Sequence, residues 1–392
     1  MRKKLKDVCM FYSGTGFPIQ YQGQTKGEYP FYKVGDIANN AIAGKIYLEL
    51  CNNYISSDVA KMIKGCILPK DTVVFAKIGE ALKLNRRAIT SCDCLIDNNA
   101  MGIAPKLDSL RIQYFYFCMK NLKMQTLAES TTVPSVRKTV LEKYEIEVPS
   151  LVEQEEIEKK LTLTQKIIEK RRQELSYLDE IIKARFVEMF GDPIQNPKGW
   201  EVVTIGDIVT EVRYGTSKPA VEGGKYPYLR MNNLTADGHL DLNDLKYIDI
   251  PDDEIEKCVV RKGDVLFNRT NSIELVGKTA VFDLPEDMII AGYIIRVRLT
   301  EKMLPEVLSQ YMNLEALKGI LRGMAKGAVN QANINAQELQ SIKVYIPEME
   351  LQKQFVKMKE QIYKSKFDTM TFAPIYAIIN LYLYTYFYQG RR

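Results

Sequence analysis

Groups able to do acid–base, nucleophilic or metal chemistry are few in this 392-residue chain and do not converge. The single histidine, His239, lies in Ala236-Asp237-Gly238-His239-Leu240, a string typical of a turn. The carboxylates of Asp252-Asp253, with Glu254 and Glu256, are typical of a solvated helix start. The seven cysteines include no CxxC pair, so we expect free thiols in a reducing compartment and no zinc site. The sequence therefore predicts no active site and no metal in this chain.

A glycine-rich string, Phe11-Tyr12-Ser13-Gly14-Thr15-Gly16, provides the strongest enzymatic alternative. In S-adenosylmethionine-dependent methyltransferases such loops let the backbone approach the cofactor, because glycine has no side chain to obstruct it. An amino-methyltransferase also needs an Asn/Asp-Pro-Pro-aromatic tetrapeptide, and the nearest strings, at Asp192 and Asn196, lack the second proline. We expect a tight turn here, and a stand-alone S-adenosylmethionine-dependent DNA methyltransferase stays the alternative.

The sequence contains an internal duplication. Residues 133–149 align without a gap on 331–347, a shift of 198, and the same shift places Gln154 on Gln352. Upstream, Tyr29–Lys33 aligns on Tyr226–Arg230, and the strings ending at Lys77 and Arg269 also match. A period this long indicates duplication of one large unit, unlike the short repeats of solenoids. The function must suit a molecule that does something twice.

Runs of β-branched and aromatic residues predict strands within each copy, and longer periodic runs predict helices. The strands are expected at 72–76, 264–267 and 293–299, and the helices at 112–127 and 305–324. Each copy is therefore expected to be a mixed α/β (α+β) domain followed by a long helix.

The first long helix should act as a spacer. Its apolar residues recur in steps of four and three, which is typical of a helix that packs lengthwise on another. These residues are Ile157, Leu161, Ile168, Leu175, Leu178, Ile182 and Met189, with Thr164, Arg171 and Arg185 interrupting the series. Ser150 and Glu153 form a capping box, and Gly191-Asp192-Pro193 provides the stop. We expect two pseudo-repeated domains joined by long antiparallel coiled-coil helices.

The second helix is shorter, and the end of the chain is atypical. Residues 369–390 carry no charge and include five tyrosines. A membrane anchor is conceivable at this length, but an altered end that packs on the first helix or is disordered is favoured. The expected segments are a first domain at 1–149, the spacer helix at 150–190, a linker at 191–200, a second domain at 201–347, the short helix at 348–367 and the tail at 368–392.

Charge differs between the two copies. Residues 1–150 carry 21 Lys and Arg against 14 Asp and Glu, whereas residues 197–347 carry 18 against 21. The first copy could attract phosphate over a distance, but the second would need a local basic patch.

The segment from Gly263 to Lys278 reads G-D-V-L-F-N-R-T-N-S-I-E-L-V-G-K. It closely resembles a segment of the target recognition domains of type I restriction-modification specificity subunits. The resemblance extends to the Pro-x4-Gln helix starts at Pro149 and Pro347 and to the string Arg185–Pro193, so it covers nearly the whole chain. The first copy departs from the pattern at 75–79, which implies that the two domains read different sequences.

The resemblance implies a non-catalytic DNA-specificity subunit in the cytoplasm. Each domain would read one half of a bipartite site in double-stranded DNA, while the helices set the spacing and dock methyltransferase subunits, two of them expected. Endonuclease and translocase subunits complete the complex. S-adenosylmethionine and ATP with Mg²⁺ are expected only in these partners, with no cofactor in this chain and no membrane. An interaction protein tethered by its aromatic tail is a further alternative.

The resemblance also implies DNA-contacting residues in both copies. Arginine can form two hydrogen bonds with guanine and asparagine two with adenine, each pair providing ~1–3 kcal/mol of discrimination. Asn268 could instead simply order its turn. The candidates in the second copy are Tyr226, Arg230, Asn268, Arg269, Asn271, Ser272 and Lys278. Those in the first copy are Tyr29, Lys33, Lys77, Lys83, Arg86 and Arg87, the last three suited to phosphate.

Overall fold

The computed structural model describes residues 1–49, 51–128, 133–328 and 331–370. Within these ranges the chain forms two compact units, Met1–Arg172 and Gln173–Met370, and the division falls inside one long helix. No helix in the described ranges combines the length and the apolar content needed to cross a membrane. The aromatic tail lies outside the described residues from Thr371 onward, and so does the membrane-anchor alternative.

The first unit is mixed α/β. Its strands are β1 Arg2–Lys4, β2 Cys9–Ser13, β3 Tyr29–Tyr32, β4 Tyr54–Ile55, β5 Val73–Ala76, β6 Arg87–Ile89, β7 Leu95–Ile96, β8 Ala100–Pro105 and β9 Glu145–Glu147. Its helices are α1 Leu5–Val8, α2 Val34–Ile42, α3 Ser57–Met62, α4 Glu80–Lys83, α5 Ile112–Asn121, α6 Lys138–Lys143 and α7 Leu151–Phe190, which continues into the second unit. An antiparallel sheet of order β2-β8-β5-β6 packs against α5 through Val73, Phe75 and Phe115. A smaller sheet, β4-β3-β7, pairs β3 with β7 in parallel.

The second unit repeats these two sheets and adds further strands. Its strands are β10 Glu201–Thr204, β11 Val209–Tyr214, β12 Tyr226–Leu229, β13 Lys246–Ile248, β14 Val259–Val260, β15 Val265–Asn268, β16 Thr270–Asn271, β17 Thr279–Val281, β18 Met288–Ile290, β19 Ile294–Leu299, β20 Lys326–Ala328, β21 Gln331–Asn333 and β22 Lys343–Ile346. Its helices are α8 Asp252–Cys258, α9 Pro305–Met312, α10 Glu315–Met324, α11 Ala336–Gln340 and α12 Met349–Met370.

The sequence repeat is a repeat of topology and register. The sheet order β11-β19-β15-β17 reproduces β2-β8-β5-β6, and the parallel pair of β12 and β18 reproduces that of β3 and β7. Phe75 lies opposite Arg87 as Phe267 lies opposite Thr279. The expected mixed α/β fold with two pseudo-repeated domains is confirmed.

Two predicted helices are shorter than expected, and side chains donate hydrogen bonds to backbone carbonyls where they end. The helix predicted over 112–127 ends at Asn121 and is followed by a single 3-10 turn over Met124–Leu127, and the buried Arg87 guanidinium donates to the carbonyl of Leu122, just beyond the helix end, at 2.6 Å. The helix predicted over 305–324 divides into α9 and α10. There Asn313 Nδ2 donates to the carbonyls of Thr279 and Ser309, at 2.6 and 2.9 Å, and fixes a turn.

The long helix α7 begins with the predicted capping box and ends at a glycine. Ser150 N–H donates to Glu153 Oε2 at 2.8 Å, and Gly191 adopts a φ of +90° just beyond the last turn. Its contact seam differs from the prediction near the end. Phe186 and Phe190 are fully buried, whereas Arg185 is exposed and Met189 only partly buried. Spacing of four from Ile182 brings these rings, and not Arg185 and Met189, onto the core face.

Within the second unit, α12 packs antiparallel to the last turns of α7. Phe355 meets Phe186 and Phe190 edge-on, with ring centroids 5.2 and 5.4 Å apart. Eleven residues later along α12, Lys366 pairs with Asp179, which lies earlier in α7. The two helices therefore run in opposite directions, as the predicted coiled coil requires.

The repeated glutamines tie each long helix to its own unit. Gln352 Oε1 accepts from Leu304 N–H at 2.9 Å, and its Nε2 donates to the carbonyls of Lys302 and Pro347. Gln154 makes the same three bonds, to Arg111 N–H and to the carbonyls of Ser109 and Pro149. Both side chains are fully buried, so their polar atoms need these partners.

Residues 191–200 form an ordered turn on the second unit. Trp200 Nε1 donates to Phe190 O at 2.7 Å, and Tyr345 donates its hydroxyl to Gly191 O at 2.9 Å. Asp192 Oδ1 accepts from the amide of Ile194. The start of the second copy is thereby held against the end of α7.

Candidate functional site

A cleft of about 1020 Å³ opens in the second unit where the chain leaves β11, β12, β15 and β18. No Asp or Glu belongs to its described lining, whereas four basic side chains do: Lys218, Arg230, Arg269 and Lys326. The described lining is therefore basic, although residues 197–347 as a whole carry more carboxylates than cations. A local basic patch of this kind is what the second copy would need in order to attract phosphate.

Arg269 lies against an aromatic ring of the cleft. Its guanidinium carbon lies 4.8 Å from the centroid of the Tyr214 ring, within the range of a cation–π contact. Its hydrogen bond to the described residues is a long one, from Nη1 to Gly292 O at 3.4 Å. Among the described residues its Nε has no acceptor.

Tyr214 is held so that its ring can support that guanidinium. It ends β11, and its hydroxyl accepts a hydrogen bond from the Ala336 amide at the start of α11, at 2.8 Å. The next residue, Gly215, lies so close to the backbone after β18 that a Cβ at this position would be 2.2 Å from Ile290 O. Tyr214 remains 42% exposed, so one part of the ring faces the cleft.

Arg230 lies on the same cleft and is partly neutralised. Its Nη2 donates to Asp244 Oδ2 at 2.8 Å, and its Nε is buried without a partner. Its amide donates to Asn233 Oδ1 at 2.8 Å, as the amide of Lys33 donates to Asp36 Oδ2 at the same distance. The match between Lys33 and Arg230 therefore extends to the backbone turn that carries them.

Asn268 and Lys278 point into the protein. Asn268 is fully buried and donates to the carbonyls of Thr270 and Tyr293, both at 3.2 Å, so it orders the turn. Lys278 is 7% exposed and donates to the carbonyls of Met231 and Leu234. Burial lowers the pKa of its ammonium group. Neither side chain reaches the cleft.

Asn271 and Ser272 belong to the same turn. Asn271 Nδ2 donates to Asn268 Oδ1, and its own Oδ1 accepts from the Ser272 amide, both at 2.9 Å. Both residues are partly buried and lie outside the described cleft lining. Tyr226 is also partly buried, with Lys225 Nζ 4.8 Å from its ring centroid, and it too lies outside the lining.

Lys77 in the first unit occupies the place of Arg269. Its amide donates to Asn99 O and its carbonyl accepts from Val136 N–H, as Arg269 does with Tyr293 and Ile334. The Lys77 side chain is partly buried. Residues at equivalent positions around the two cations differ. Ser13 and Asn99 correspond to Tyr214 and Tyr293, so neither of these two positions supplies a ring beneath Lys77.

The other first-unit candidates are spread over several surfaces. Lys33 Nζ donates to Gln22 Oε1 and lies 5.6 Å from the Phe17 ring centroid. Tyr29 is a partly buried residue of β3, and Lys83 is exposed and paired with Glu80 at 2.6 Å.

Arg86 and Arg87 line a separate cavity, and Arg87 is only 3% exposed. Burial lowers the pKa of Arg87 to about 9. The predicted phosphate loop therefore presents Lys83 to solvent but turns Arg87 inward.

The other candidate groups have structural explanations. A Cβ on Gly14 would lie 1.7 Å from Asp97 O, so close packing of two chain segments requires the first glycine of the GxG string. His239 follows a turn and offers a ligand atom within 4.8 Å of Asp179 and Asp237. Lys366 already pairs with Asp179. Burial lowers the pKa of His239, and Asp237 partly opposes this shift.

The sequence missed Tyr214, Lys218 and Lys326. The signal for the first two was present, because they flank the repeated Gly-Thr at 215–216. Lys326 lies in β20, which has no counterpart among the described residues of the first unit, so no internal comparison could identify it.

Comparison with known proteins adds family and fold. A family model described as "Type I restriction modification DNA specificity domain" matches residues 1–177 and 197–374. The EcoKI type I restriction enzyme specificity subunit of Escherichia coli K12 is 24% identical over 257 residues, covering 62% of this chain and 55% of that protein. The MjaIX specificity subunit of Methanocaldococcus jannaschii is 26% identical over 258 residues, covering 59% and 57%. The chain thus spans little more than half the length of these curated relatives.

A solved structure supports the same fold. A chain from a study of complex assembly and conformational transition in a type I R-M system aligns with a TM-score of 0.56 at 18% identity. The alignment covers 98% of this chain and 96% of that one.

Proposed function

This chain belongs to the type I restriction-modification DNA specificity family, and we propose that it is the subunit that reads the target sequence for such a complex. Each unit reads one half of a bipartite site in double-stranded DNA. The chain contributes recognition and no catalysis. Methylation, cleavage and translocation, with S-adenosylmethionine and ATP–Mg²⁺, belong to its partner subunits.

The observation that carries this proposal is the cleft of the second unit. Residues 197–347 carry more acidic than basic side chains, yet four cations and no carboxylate line the described cleft. Asp244, Glu254 and Glu338 pair with three of these cations from outside the described lining, so the lining itself presents positive charge. DNA phosphates that bind such cations release their condensed counterions, which favours binding. A polyanion is the ligand that matches this lining.

The lining divides into residues suited to base edges and residues suited to phosphate. Arg269 lies against a ring, and the bond of its guanidinium within the described part of the chain is the long one to Gly292 O, which favours two parallel hydrogen bonds to guanine. Lys218 and Lys326 carry flexible point charges, each with one carboxylate partner, Glu254 and Glu338. These lysines are suited to position the DNA backbone and carry no sequence information.

The first unit is proposed to read a different half-site. Lys77 stands where Arg269 does but has a compact ammonium group in place of a planar guanidinium, and Ser13 stands where the second unit has Tyr214. A lysine can also bind guanine, but with less geometric selectivity. The expected outcome is a site whose two halves have unlike sequences.

The long helices are proposed to set the number of unread base pairs and to dock the methyltransferase subunits. The α7 helix comprises 40 residues, about 60 Å at ~1.5 Å per residue. The buried hydrogen bonds of Gln154 and Gln352 fix the register of each helix on its own unit. Spacing set by a rigid element is a geometric property of other DNA readers with two half-sites.

Reconstitution with a type I methyltransferase subunit tests the proposal. Genomic DNA from cells expressing both proteins, or either alone, is sequenced by a method that detects modified bases. The expected result is one bipartite methylated motif that requires both chains. Methylation or cleavage by this chain alone would instead identify a stand-alone enzyme and overturn the proposal.

A further inference from the structure

The loop that follows β2 in the first unit presents an exposed isoleucine on a packed base. Ile19 is the first residue of a single 3-10 turn and is 87% exposed. Just before it, Phe17 stacks on the buried Phe31, with ring centroids 3.8 Å apart. The carbonyl of Phe17 also accepts a hydrogen bond from Gln22 Nε2 at 3.0 Å. The loop is therefore fixed on the N-terminal side of Ile19.

The C-terminal side of the turn is fixed as well. Tyr21 packs on the same core cluster as Phe17 and donates its hydroxyl to Met62 Sδ at 3.1 Å. The amide of Gly23 donates to the buried Asn53 Oδ1 at 2.9 Å. The turn thus holds Ile19 outward in a defined position, although the isoleucine itself is largely in solvent.

Single exposed apolar residues are common on protein surfaces, so the location of this loop decides its meaning. The duplication aligns residues 14–19 with residues 215–220 without a gap. In each copy the threonine of the repeated Gly-Thr forms a parallel bridge, with Asp97 in the first and with Ala291 in the second. Residues 215–220 all line the cleft of the second unit. The loop that carries Ile19 is therefore the first unit's counterpart of a cleft wall.

Lys77, the proposed counterpart of Arg269, lies beside the start of this loop. Its amide donates to Asn99 O at 2.9 Å. A Cβ on Gly14 would lie 1.7 Å from Asp97 O, so the loop begins against the same short segment. A ligand that reaches Lys77 in the first unit therefore lies close to this loop.

The two matched loops differ in chemistry. Phe17 stands where the second unit has Lys218, and Ile19 stands where it has Ala220. Lys218 supplies a charge suited to phosphate, whereas the loop of the first unit supplies a ring packed on the core and an exposed hydrocarbon side chain. In the major groove, the C5-methyl group of thymine is the feature of a base edge that apolar side chains contact.

We propose that Ile19 contacts the C5-methyl group of a thymine in the first half-site and so contributes to its recognition. This inference rests on the proposed function, because it requires the first unit to face DNA. The fixed turn favours such a contact, since little further ordering of the loop accompanies binding.

Replacement of thymine by uracil tests the proposal, because uracil pairs with adenine but lacks the C5-methyl group. The complex reconstituted with the methyltransferase subunit is titrated with duplexes of its methylated motif, in which each thymine of the first half-site is replaced in turn. One replacement should weaken binding roughly fourfold, as expected for loss of one methyl group from an apolar contact. Equal affinity at every position, or a first half-site without thymine, would overturn the proposal.

Substitutions assign the effect to Ile19. Ile19→Ala should abolish the difference between thymine and uracil at that position, and Ile19→Val should retain most of it. Leu107→Ala is the matched control, because Leu107 is a 60% exposed aliphatic residue at the opposite end of β8 from Asp97, and it should leave the difference intact. Circular dichroism establishes that each variant is folded. An unchanged preference for thymine in the folded Ile19→Ala variant would refute the assignment, and so would weaker binding of the methyltransferase subunit without DNA.

The unmodified duplex separates this inference from the proposed function. A complex that binds its motif no better than a scrambled duplex would contradict the proposed function itself. A complex that prefers its motif but binds the uracil duplexes equally well would contradict only the role of Ile19.

Discussion

Replacing Arg269 by alanine should separate base reading from folding in the second unit. The substitution removes a cation–π contact of about 0.5–1 kcal/mol and a long hydrogen bond, but it also removes the buried, unpartnered Nε. These contributions oppose each other, so the free energy of unfolding should change by no more than about 1–2 kcal/mol. Loss of two hydrogen bonds to a base should cost ~1–3 kcal/mol of discrimination, roughly 5- to 150-fold.

The assay is competition binding by the reconstituted methyltransferase complex. Duplexes carrying the cognate site compete with duplexes changed at single base pairs of each half-site. Arg269→Ala should lower discrimination at one base pair in one half and leave the other half unaffected. Arg269→Lys keeps the charge and the salt dependence but loses the planar fork, so discrimination should fall there too. Arg213→Ala is the control, because this exposed arginine lies outside the described cleft lining. Undiminished discrimination by the folded alanine variant would refute the assignment of Arg269 as a reader.

Further predictions concern the structural residues of the same unit. Gln352→Met removes three buried hydrogen bonds and should lower the free energy of unfolding by ~2–4 kcal/mol in urea titrations, without altering base preference. A variant as stable as the parent chain would contradict the structural role of these bonds. Lys218→Met should reduce the salt dependence of DNA binding by about one phosphate contact, whereas Lys278→Met should only destabilise the fold. The reverse pattern would contradict the assignment of the cleft as the DNA-binding surface. Because burial lowers the folded-state pKa of His239, the unfolded chain takes up that proton more readily, and stability should fall as pH drops below about 6.5. His239→Gln should flatten that part of a thermal denaturation series, and an unchanged slope would exclude this histidine as the cause.

The duplicated fold could be predicted from the sequence because both copies preserve their elements in order. The match of Lys77 to Arg269 rested on a few residues of weak similarity, yet the backbone hydrogen bonds of the two positions are equivalent. The capping box at Ser150 and the stop at Gly191 were also predictable, since both depend on neighbours a few residues away.

The positions of individual polar side chains could not be predicted in the same way. Lys278 is satisfied by carbonyl groups 47 and 44 residues away, and Arg87 by carbonyls near the end of α5. A sequence gives no measure of such distant partners, so a polar residue beside a predicted strand is assigned to the surface by default. The burial of Phe186 could not be predicted for the same reason, because it depends on contact with the ring of Phe355 in α12.

The proposed function requires that one chain carries two independent and unlike readers. The most direct measurement is the methylated motif specified by a chain in which residues 1–149 are replaced by a second copy of residues 201–347, expressed with the methyltransferase subunit. We predict a bipartite motif whose two halves contain the same bases. A motif that keeps its original first half would contradict the claim.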